Sequence, residues 1–197
     1  MQVRRRNFIK AMLTTAITGT ASVVGISASN TASAAYNVWT NDYTLPLTVL
    51  QRAIEQQFPK TLQYAQVFEV HLSNPRLTMN VADNRIVTLL NLKVISNLLL
   101  ATPLNGTITL SSRLKYDSPT KAIRLDAPSV DKIDVGGIGA QYGQQLNAMG
   151  AVVAEQVLNN YPIYTFKPEE LRIGQKTFEP GTITMRTDSI VVQVQET

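Results

Sequence analysis

The sequence contains no cysteine and only one histidine, His71, among its 197 residues. Without cysteine the chain has no disulfide, no thiolate nucleophile and no cysteine-ligated zinc or iron–sulfur centre. A metal site would depend on carboxylates, and alternation with Val70 and Leu72 directs His71 to the polar face of a strand. We therefore expect no metal and no cofactor.

Catalytic patterns are also scarce. No serine lies in a G-x-S-x-G motif. The adjacent carboxylates Glu169 and Glu170 would point to opposite faces of an extended chain, so they would not converge on one substrate. The sequence predicts a protein that is not an enzyme.

Acidic residues are absent from the first 34 positions, which contain Arg4, Arg5, Arg6 and Lys10. The remaining chain has 14 basic and 14 acidic residues, so the formal charge of +4 belongs to the N-terminal segment. A nucleic-acid-binding protein needs a surplus of basic side chains to displace counterions from phosphates. We therefore expect no nucleic-acid partner.

The N-terminal segment has the features of an export signal. The run Arg5-Arg6-Asn7-Phe8-Ile9-Lys10 resembles the twin-arginine motif, in which Arg5, Arg6 and Phe8 are the recognised residues. A mildly apolar stretch follows and ends in Ala32-Ser33-Ala34, which predicts cleavage between Ala34 and Ala35. The stretch is too short and too polar for a membrane span. A general secretory signal rich in arginine is the alternative.

These features predict the domain organisation and the location. Residues 1–34 form the signal peptide, residues 35–42 a short leader, and residues 43–197 a single domain. The twin-arginine translocase is the expected partner during export. Because no cysteine follows the cleavage site to carry a lipid, the mature chain is expected to be soluble in the periplasm, without a transmembrane segment.

Periodicity predicts the fold class. Residues 44–58 have helical spacing, and several segments with period-two alternation follow, most clearly residues 106–117. From residue 139 to about residue 161 the period becomes helical, which predicts a helix of roughly 30 Å. We therefore expect an α+β domain in which a curved antiparallel sheet wraps around one long helix in the C-terminal half, with a short N-terminal helix.

The inner faces of that sheet and helix supply the candidate ligand groove. Plain core packing is the alternative interpretation for each of these residues. The candidate residues are Leu77, Met79, Ile108, Leu110, Leu146, Met149 and Val153.

Two further segments invite functional interpretations. The glycine-rich stretch Gly136–Gly143 lies between a strand and a helix, but its spacing is G-x-G-x-x-x-G and no parallel βαβ unit surrounds it, so a tight turn is favoured over a phosphate site. The apolar stretch at 98–104 lies between two strands. It indicates either a loop that caps the core or an apolar rim at the mouth of a ligand cavity.

The stretch LNGTITLSSRLKYDSPTKAIRLDAPSVDKIDVGG, with its Y-D…A-I-x-L…P-x-V progression, resembles the YceB-like family of bacterial envelope proteins, a domain of unknown function. The resemblance continues through LNNYPIYTFK to FEPGTITM. It implies a fold similar to tubular lipid-binding (TULIP) domains, which hold lipids between sheet and helix. Two functions follow as expectations: binding of a lipid, fatty acid or other apolar ligand, or, alternatively, a structural or interaction role with a solid core and no ligand.

Overall fold

The computed structural model describes residues 34–96, 98, 100, 102–136 and 143–197. Within them the chain forms eleven strands and two helices. The strands are β1 (Ala35–Asn37), β2 (Asp42–Pro46), β3 (Lys60–Tyr64), β4 (Phe68–Asn80), β5 (Arg85–Ile95), β6 (Leu104–Asp117), β7 (Ala122–Val135), β8 (Pro162–Thr165), β9 (Arg172–Ile173), β10 (Lys176–Met185) and β11 (Ser189–Glu196). The helices are α1 (Leu47–Glu55) and α2 (Gly143–Leu158).

The strands form two antiparallel sheets. The six-stranded sheet follows chain order, β3-β4-β5-β6-β7-β8: the strands from β3 to β7 each pair with the next one along the chain, and β8 returns to β7 after helix α2. The five-stranded sheet, β1-β2-β11-β10-β9, joins the two ends of the described chain through the pairing of β2 with β11. Both sheets therefore have one face available to the core.

The six-stranded sheet is curled. Helix α2 packs mainly against β7 and also contacts β6 and β3, although three strands separate β3 from β7 in the sheet. Helix α1 similarly contacts both β4 and β8. One helix reaches strands so far apart only if the sheet bends around it, so both helices lie on the concave side.

Alternation along the central strands creates the concave apolar face. On β5 the side chains of Ile86, Leu90, Leu92 and Val94 are buried, and intervening residues are more exposed. This is the period-two pattern of a sheet with one face in the core. Thr88 occupies the same buried face, so the apolar row is interrupted by one hydroxyl group.

Polar and aromatic contacts attach the five-stranded sheet to one end of the six-stranded sheet, the end at which the β4–β5 and β6–β7 turns lie. The Asn84 carboxamide, in the turn between β4 and β5, donates to the carbonyl oxygen of Ile183 at 3.1 Å and accepts from the Met185 amide at 2.8 Å. Phe166 stacks edge-on against both Tyr43 and Tyr164, with centroids 5.4 Å and 5.0 Å apart. These contacts join the two sheets.

The expected α+β fold, with one long helix wrapped by a single sheet, is wrong. The chain is mostly β, with two sheets and two short helices, and α2 has 16 residues where the periodicity predicted a helix over residues 139–161. The error has a physical cause: the second sheet depends on pairing between β2 and β11, which are more than 140 positions apart, and local periodicity contains no information about such pairing.

The segment expected to be a leader contributes a strand. Residues Ala35–Asn37 form β1, which pairs with β2 through Tyr36 and Tyr43. The turn between β1 and β2 exposes Trp39, whose relative exposure is 92%. Neither of the two described helices has the length and apolar character needed to span a membrane.

Candidate apolar binding site

Helix α2 runs along the concave face in the direction opposite to β7. Immediately after its C-terminal end, the Asn160 amide donates to the carbonyl oxygen of Leu125, and the Leu125 amide donates to the carbonyl oxygen of Tyr161, both at 2.9 Å. The N-terminal end of α2 therefore lies near the last residues of β7, around Val135. The two ends of the interface between α2 and the sheet can therefore be named by the N-terminal and C-terminal ends of α2.

The middle of that interface is filled. A methyl group built on Gly150 would lie 2.7 Å from Cδ1 of Ile133 and 3.1 Å from Cγ2 of Val130. A side chain at this position would displace the ends of the Ile133 and Val130 side chains, so with glycine the helix backbone contacts these sheet side chains directly. No ligand-sized space separates α2 from β7 at this level.

The N-terminal end of the interface is different. Seven apolar side chains there pack against the core yet stay only partly buried. We call this set the apolar mouth. It consists of Leu62, Tyr64, Phe68, Leu100, Leu104, Val135 and Leu146.

Strand register brings the mouth together. Leu62 on β3 pairs with Val70 on β4, Val70 with Val94 on β5, and Val94 with Leu104 on β6. Residues directly opposite in an antiparallel sheet share a face, so these side chains form one row across the concave side. Tyr64 and Phe68, with ring centroids 6.3 Å apart, extend the mouth beyond that row.

The rim of the mouth includes an exposed leucine. Leu98 in the β5–β6 connection has a relative exposure of 80%, while Leu100 packs against the core and its amide donates to the Ser96 carbonyl oxygen at 3.2 Å. Leu98 lines a cavity of about 250 Å³. Its other lining residues are Gln63, Gln66, Val67, Glu69, Ile95 and Ser96. Because Gln63, Glu69 and Ile95 alternate with the concave residues, this cavity lies on the outer side of the sheet and not inside the mouth.

The predicted groove residues all belong to the concave interior. Five of them are buried in the core: Leu77, Ile108, Leu110, Met149 and Val153. Met79 and Leu146 are partly buried and pack against that core. Of the seven, only Leu146 lies in the apolar mouth; the other six lie at other levels of the concave interior.

The mouth residues on β3, β4 and β7 were not assigned to the candidate groove from sequence. Alternation did place Val70 and Leu72 on the face opposite His71, and Phe68 continues that face in the structure. The missing information was the extent of burial, which depends on how far α2 covers the strand ends. The apolar stretch at 98–104 was the one sequence signal that indicated this end of the sheet.

The predicted export residues Arg5, Arg6 and Phe8 lie outside the described residues, as does most of the glycine-rich stretch, residues 137–142. Ala34 packs, partly buried, against the core, and Ala35 begins β1. The export signal, its cleavage and the domain boundaries stay predictions.

Polar clusters are distributed over other surfaces. His71 lies on the face opposite the core residues Val70 and Leu72, with Nε2 2.8 Å from Glu69 Oε1 and Nδ1 3.1 Å from Thr61 Oγ1. His71 also lines an open cavity of about 550 Å³ with Lys93. A further cavity of about 580 Å³ lies between α1 and the β4 bulge and is lined mainly by polar residues.

The spacing of Ser112 and Lys115 matches the S-x-x-K pattern of some serine nucleophiles. On β6 the two side chains are on opposite faces: Ser112 is fully buried, and Lys115 is exposed, with Nζ 2.9 Å from Asp126 Oδ1. The pair does not converge. Among the described residues, no group of three or more metal-binding side chains is close enough to hold an ion.

Fold and mouth together define a two-sheet β protein with a partly exposed apolar opening at one end of its curled sheet. The chain belongs to the family described as "Protein of unknown function (DUF1439)", whose family model matches residues 48–179. The narrower YceB-like assignment stays a prediction. No curated protein matches the sequence.

Among solved structures, the chain is similar to one described as "Crystal structure of lipopolysaccharide binding protein". The similarity covers 83% of this chain and 42% of that chain, at 11% sequence identity and a TM-score of 0.32. The chain therefore spans less than half of the length of that protein.

Proposed function

We propose that this protein binds a lipid or fatty acid, and that the hydrocarbon part of the ligand occupies the apolar mouth. The observation that carries the proposal is the clustering of seven partly buried apolar side chains at one end of the concave face, beyond the filled middle of the α2–β7 interface. A concave apolar surface open to water gains free energy when it covers hydrocarbon, by about 0.8 kcal/mol for each buried CH₂ group. An acyl chain has the shape and chemistry for this surface.

The depth of the site is limited by the contact of Gly150 with Ile133. Leu146 lies four positions before Gly150 on α2, roughly 6 Å along the helix axis. A ligand that stays above this contact leaves the core unchanged. Deeper entry requires α2 to move away from β7, so the proposal predicts a shallow site in which the polar end of the ligand remains in solvent.

A solid-core interaction protein is the second candidate function. Five of the seven groove residues predicted from sequence are buried, and the middle of the helix–sheet interface is filled. On this alternative the mouth has no small-molecule ligand. The two candidates differ in one measurable property, which is saturable binding of a free fatty acid.

The test is a titration of the purified chain with dansyl-undecanoic acid, followed by its fluorescence. Leu146→Trp places a large ring in the mouth, whereas Ala148→Trp adds the same ring at an exposed position on the same helix. We expect saturable binding by the parent, at least roughly tenfold weaker binding by Leu146→Trp, and unchanged binding by Ala148→Trp. Circular dichroism checks that both variants are folded.

Absence of saturable binding by the parent would favour the interaction protein. Equal loss in both variants would place the ligand elsewhere. Lipid extracted from freshly purified protein and identified by mass spectrometry provides an independent measurement.

We also propose that the protein acts in the periplasm without a catalytic step. The support for the location is the twin-arginine pattern at Arg5 and Arg6. The support against a catalytic step is that Ser112 and Lys115, which have S-x-x-K spacing, lie on opposite faces of β6. Cell fractionation tests the location: Arg5→Lys/Arg6→Lys should keep the precursor in the cytoplasm, and normal delivery of that variant would contradict the assignment.

A further inference from the structure

Strand β7 has a long edge without a partner strand in the described part of the chain. On one side it pairs with β6 from Ala122 to Val135, but on the other side it pairs with β8 only at residues 122–124. Leu125 extends that second side by its backbone bonds to Asn160 and Tyr161. Along residues 129–135 no backbone hydrogen bond to another described segment is present on this side.

The free edge is accessible and charged. Ser129, Asp131, Lys132 and Asp134 are exposed, while Ile133 is half-buried on the concave face. Lys132 Nζ lies 3.0 Å from Asp134 Oδ2 on the same strand, so both side chains occupy the outer face. An unpaired edge of this length is a template for another strand.

A second copy of β7 can pair with this edge only in certain registers. A two-fold axis perpendicular to the sheet keeps each side chain on its own face, so the axis must pass through a residue and not between two residues. Within the end of β7, the central residue is therefore Lys132, Ile133 or Asp134.

Charge selects among these three registers. Centring on Lys132 or on Asp134 sets like charges directly opposite each other, which is unfavourable. Centring on Ile133 places Lys132 of each copy opposite Asp134 of the other, and the two isoleucines meet on the concave face. This register alone gives two cross-strand ion pairs.

We propose that β7 pairs antiparallel with β7 of a second copy of this chain, centred on Ile133, and joins the two six-stranded sheets edge to edge. This inference rests on the edge and its charges, and it does not depend on ligand binding. Centred on Ile133, the two edges overlap over residues 131–135, five residues of each copy. Such a short overlap buries less area than the roughly 1,200–2,000 Å² of stable interfaces, so the dimer is weak. We expect a dissociation constant on the order of 10–100 µM.

Analytical ultracentrifugation of the full chain over a concentration series tests the proposal. Lys132→Asp and Asp134→Lys each set like charges opposite each other twice in the dimer, and each should weaken association at least roughly tenfold. The combined variant Lys132→Asp/Asp134→Lys restores opposite charges and should dimerise like the parent. Lys176→Asp, which breaks the exposed pair with Glu196 on the other sheet, is the matched control and should not change association.

The intrastrand pair of Lys132 with Asp134 is exposed, so its loss should hardly change folding stability, and circular dichroism verifies this. A parent that stays monomeric up to about 1 mM would overturn the proposal, because the charged edge then only prevents pairing. Association that is equal in the single and combined variants would overturn the register. Unchanged association in all four variants would mean that the copies associate through another surface, and it would overturn the proposal.

Discussion

The two ends of the curled sheet differ in how completely they bury apolar side chains. At the end near the β6–β7 turn, Phe166 is 2% exposed and packs edge-on against both Tyr43, which is 5% exposed, and Tyr164, which is partly buried. At the other end, the seven residues of the apolar mouth are partly exposed. The difference is one of degree: side chains where the two sheets meet, such as Phe166 and Tyr43, are covered, whereas all seven mouth residues keep part of their surface in water.

Polar groups at the closed end reinforce the difference. The Tyr164 hydroxyl donates to Glu170 Oε1 at 2.6 Å, and Glu170 Oε2 accepts from the Lys167 amide at 2.7 Å. These bonds satisfy a carboxylate beside the aromatic cluster, so its burial is less costly. Closure at this end combines packing with hydrogen bonding, whereas the mouth presents mainly hydrocarbon.

The largest expected effect is a difference in folding stability between a variant in the filled part of the α2–sheet interface and a variant in the apolar mouth. Val153→Asp places an unpaired carboxylate in the closed part of the α2–sheet interface, where Val153 is 1% exposed, and should destabilise the fold by about 3–5 kcal/mol or prevent folding. Leu146→Asp introduces the same charge at the partly exposed mouth and should cost about 1–2 kcal/mol, because water reaches the carboxylate. Urea denaturation measures the free energy of unfolding of both variants and of the parent.

Equal losses in these two variants would mean that the mouth is as closed as the middle of the interface in solution. Gln144→Asp, on an exposed position of the same helix, controls for the charge itself and should leave stability nearly unchanged.

Parts of both ends could be predicted from the sequence. Period-two alternation identified the buried face of β6, at Ile108 and Leu110, because one side of the strand packs in the core. Helical spacing likewise placed Met149 and Val153 on the buried face of α2. Local patterns determine which side of an element is apolar.

The difference between the ends could not be predicted. Val94 and Val135 both have the alternation of a buried strand position, yet one is 2% exposed and the other is part of the mouth. The distinction depends on which strand ends α2 and the second sheet cover. That covering follows from long-range pairing, above all of β2 with β11, and from the length of α2.

A smaller effect is expected at the attachment of the second sheet. Asn84 has a φ of 49°, and its side chain makes the two hydrogen bonds to β10. Asn84→Gly keeps the backbone conformation and removes both bonds, so it should cost about 1–3 kcal/mol. Asn84→Ala adds the strain of a positive φ, roughly 1 kcal/mol more.

Urea denaturation again measures the loss, and dansyl-undecanoic acid binding is measured in parallel. Because Asn84 lies at the closed end, its variants should bind the probe as the parent does. Loss of binding in a folded Asn84→Gly variant would show that the two ends are coupled and would refute their separate roles.

The smallest effect concerns the proton on Tyr164. Burial raises the pKa of Tyr164, and the hydrogen bond to Glu170 raises that pKa further. In the unfolded chain Tyr164 ionises near the ordinary pKa of 10.0, so the stabilisation is complete below that pH and is lost as the pH rises toward the folded-state pKa.

Tyr164→Phe should cost about 1 kcal/mol at neutral pH, where the bond to Glu170 is intact. Above about pH 10 the parent should lose stability faster than the variant, so their free energies of unfolding converge. Urea denaturation at several pH values between about 7 and 11 measures this, and parallel curves would contradict a role for Tyr164 in closing this end.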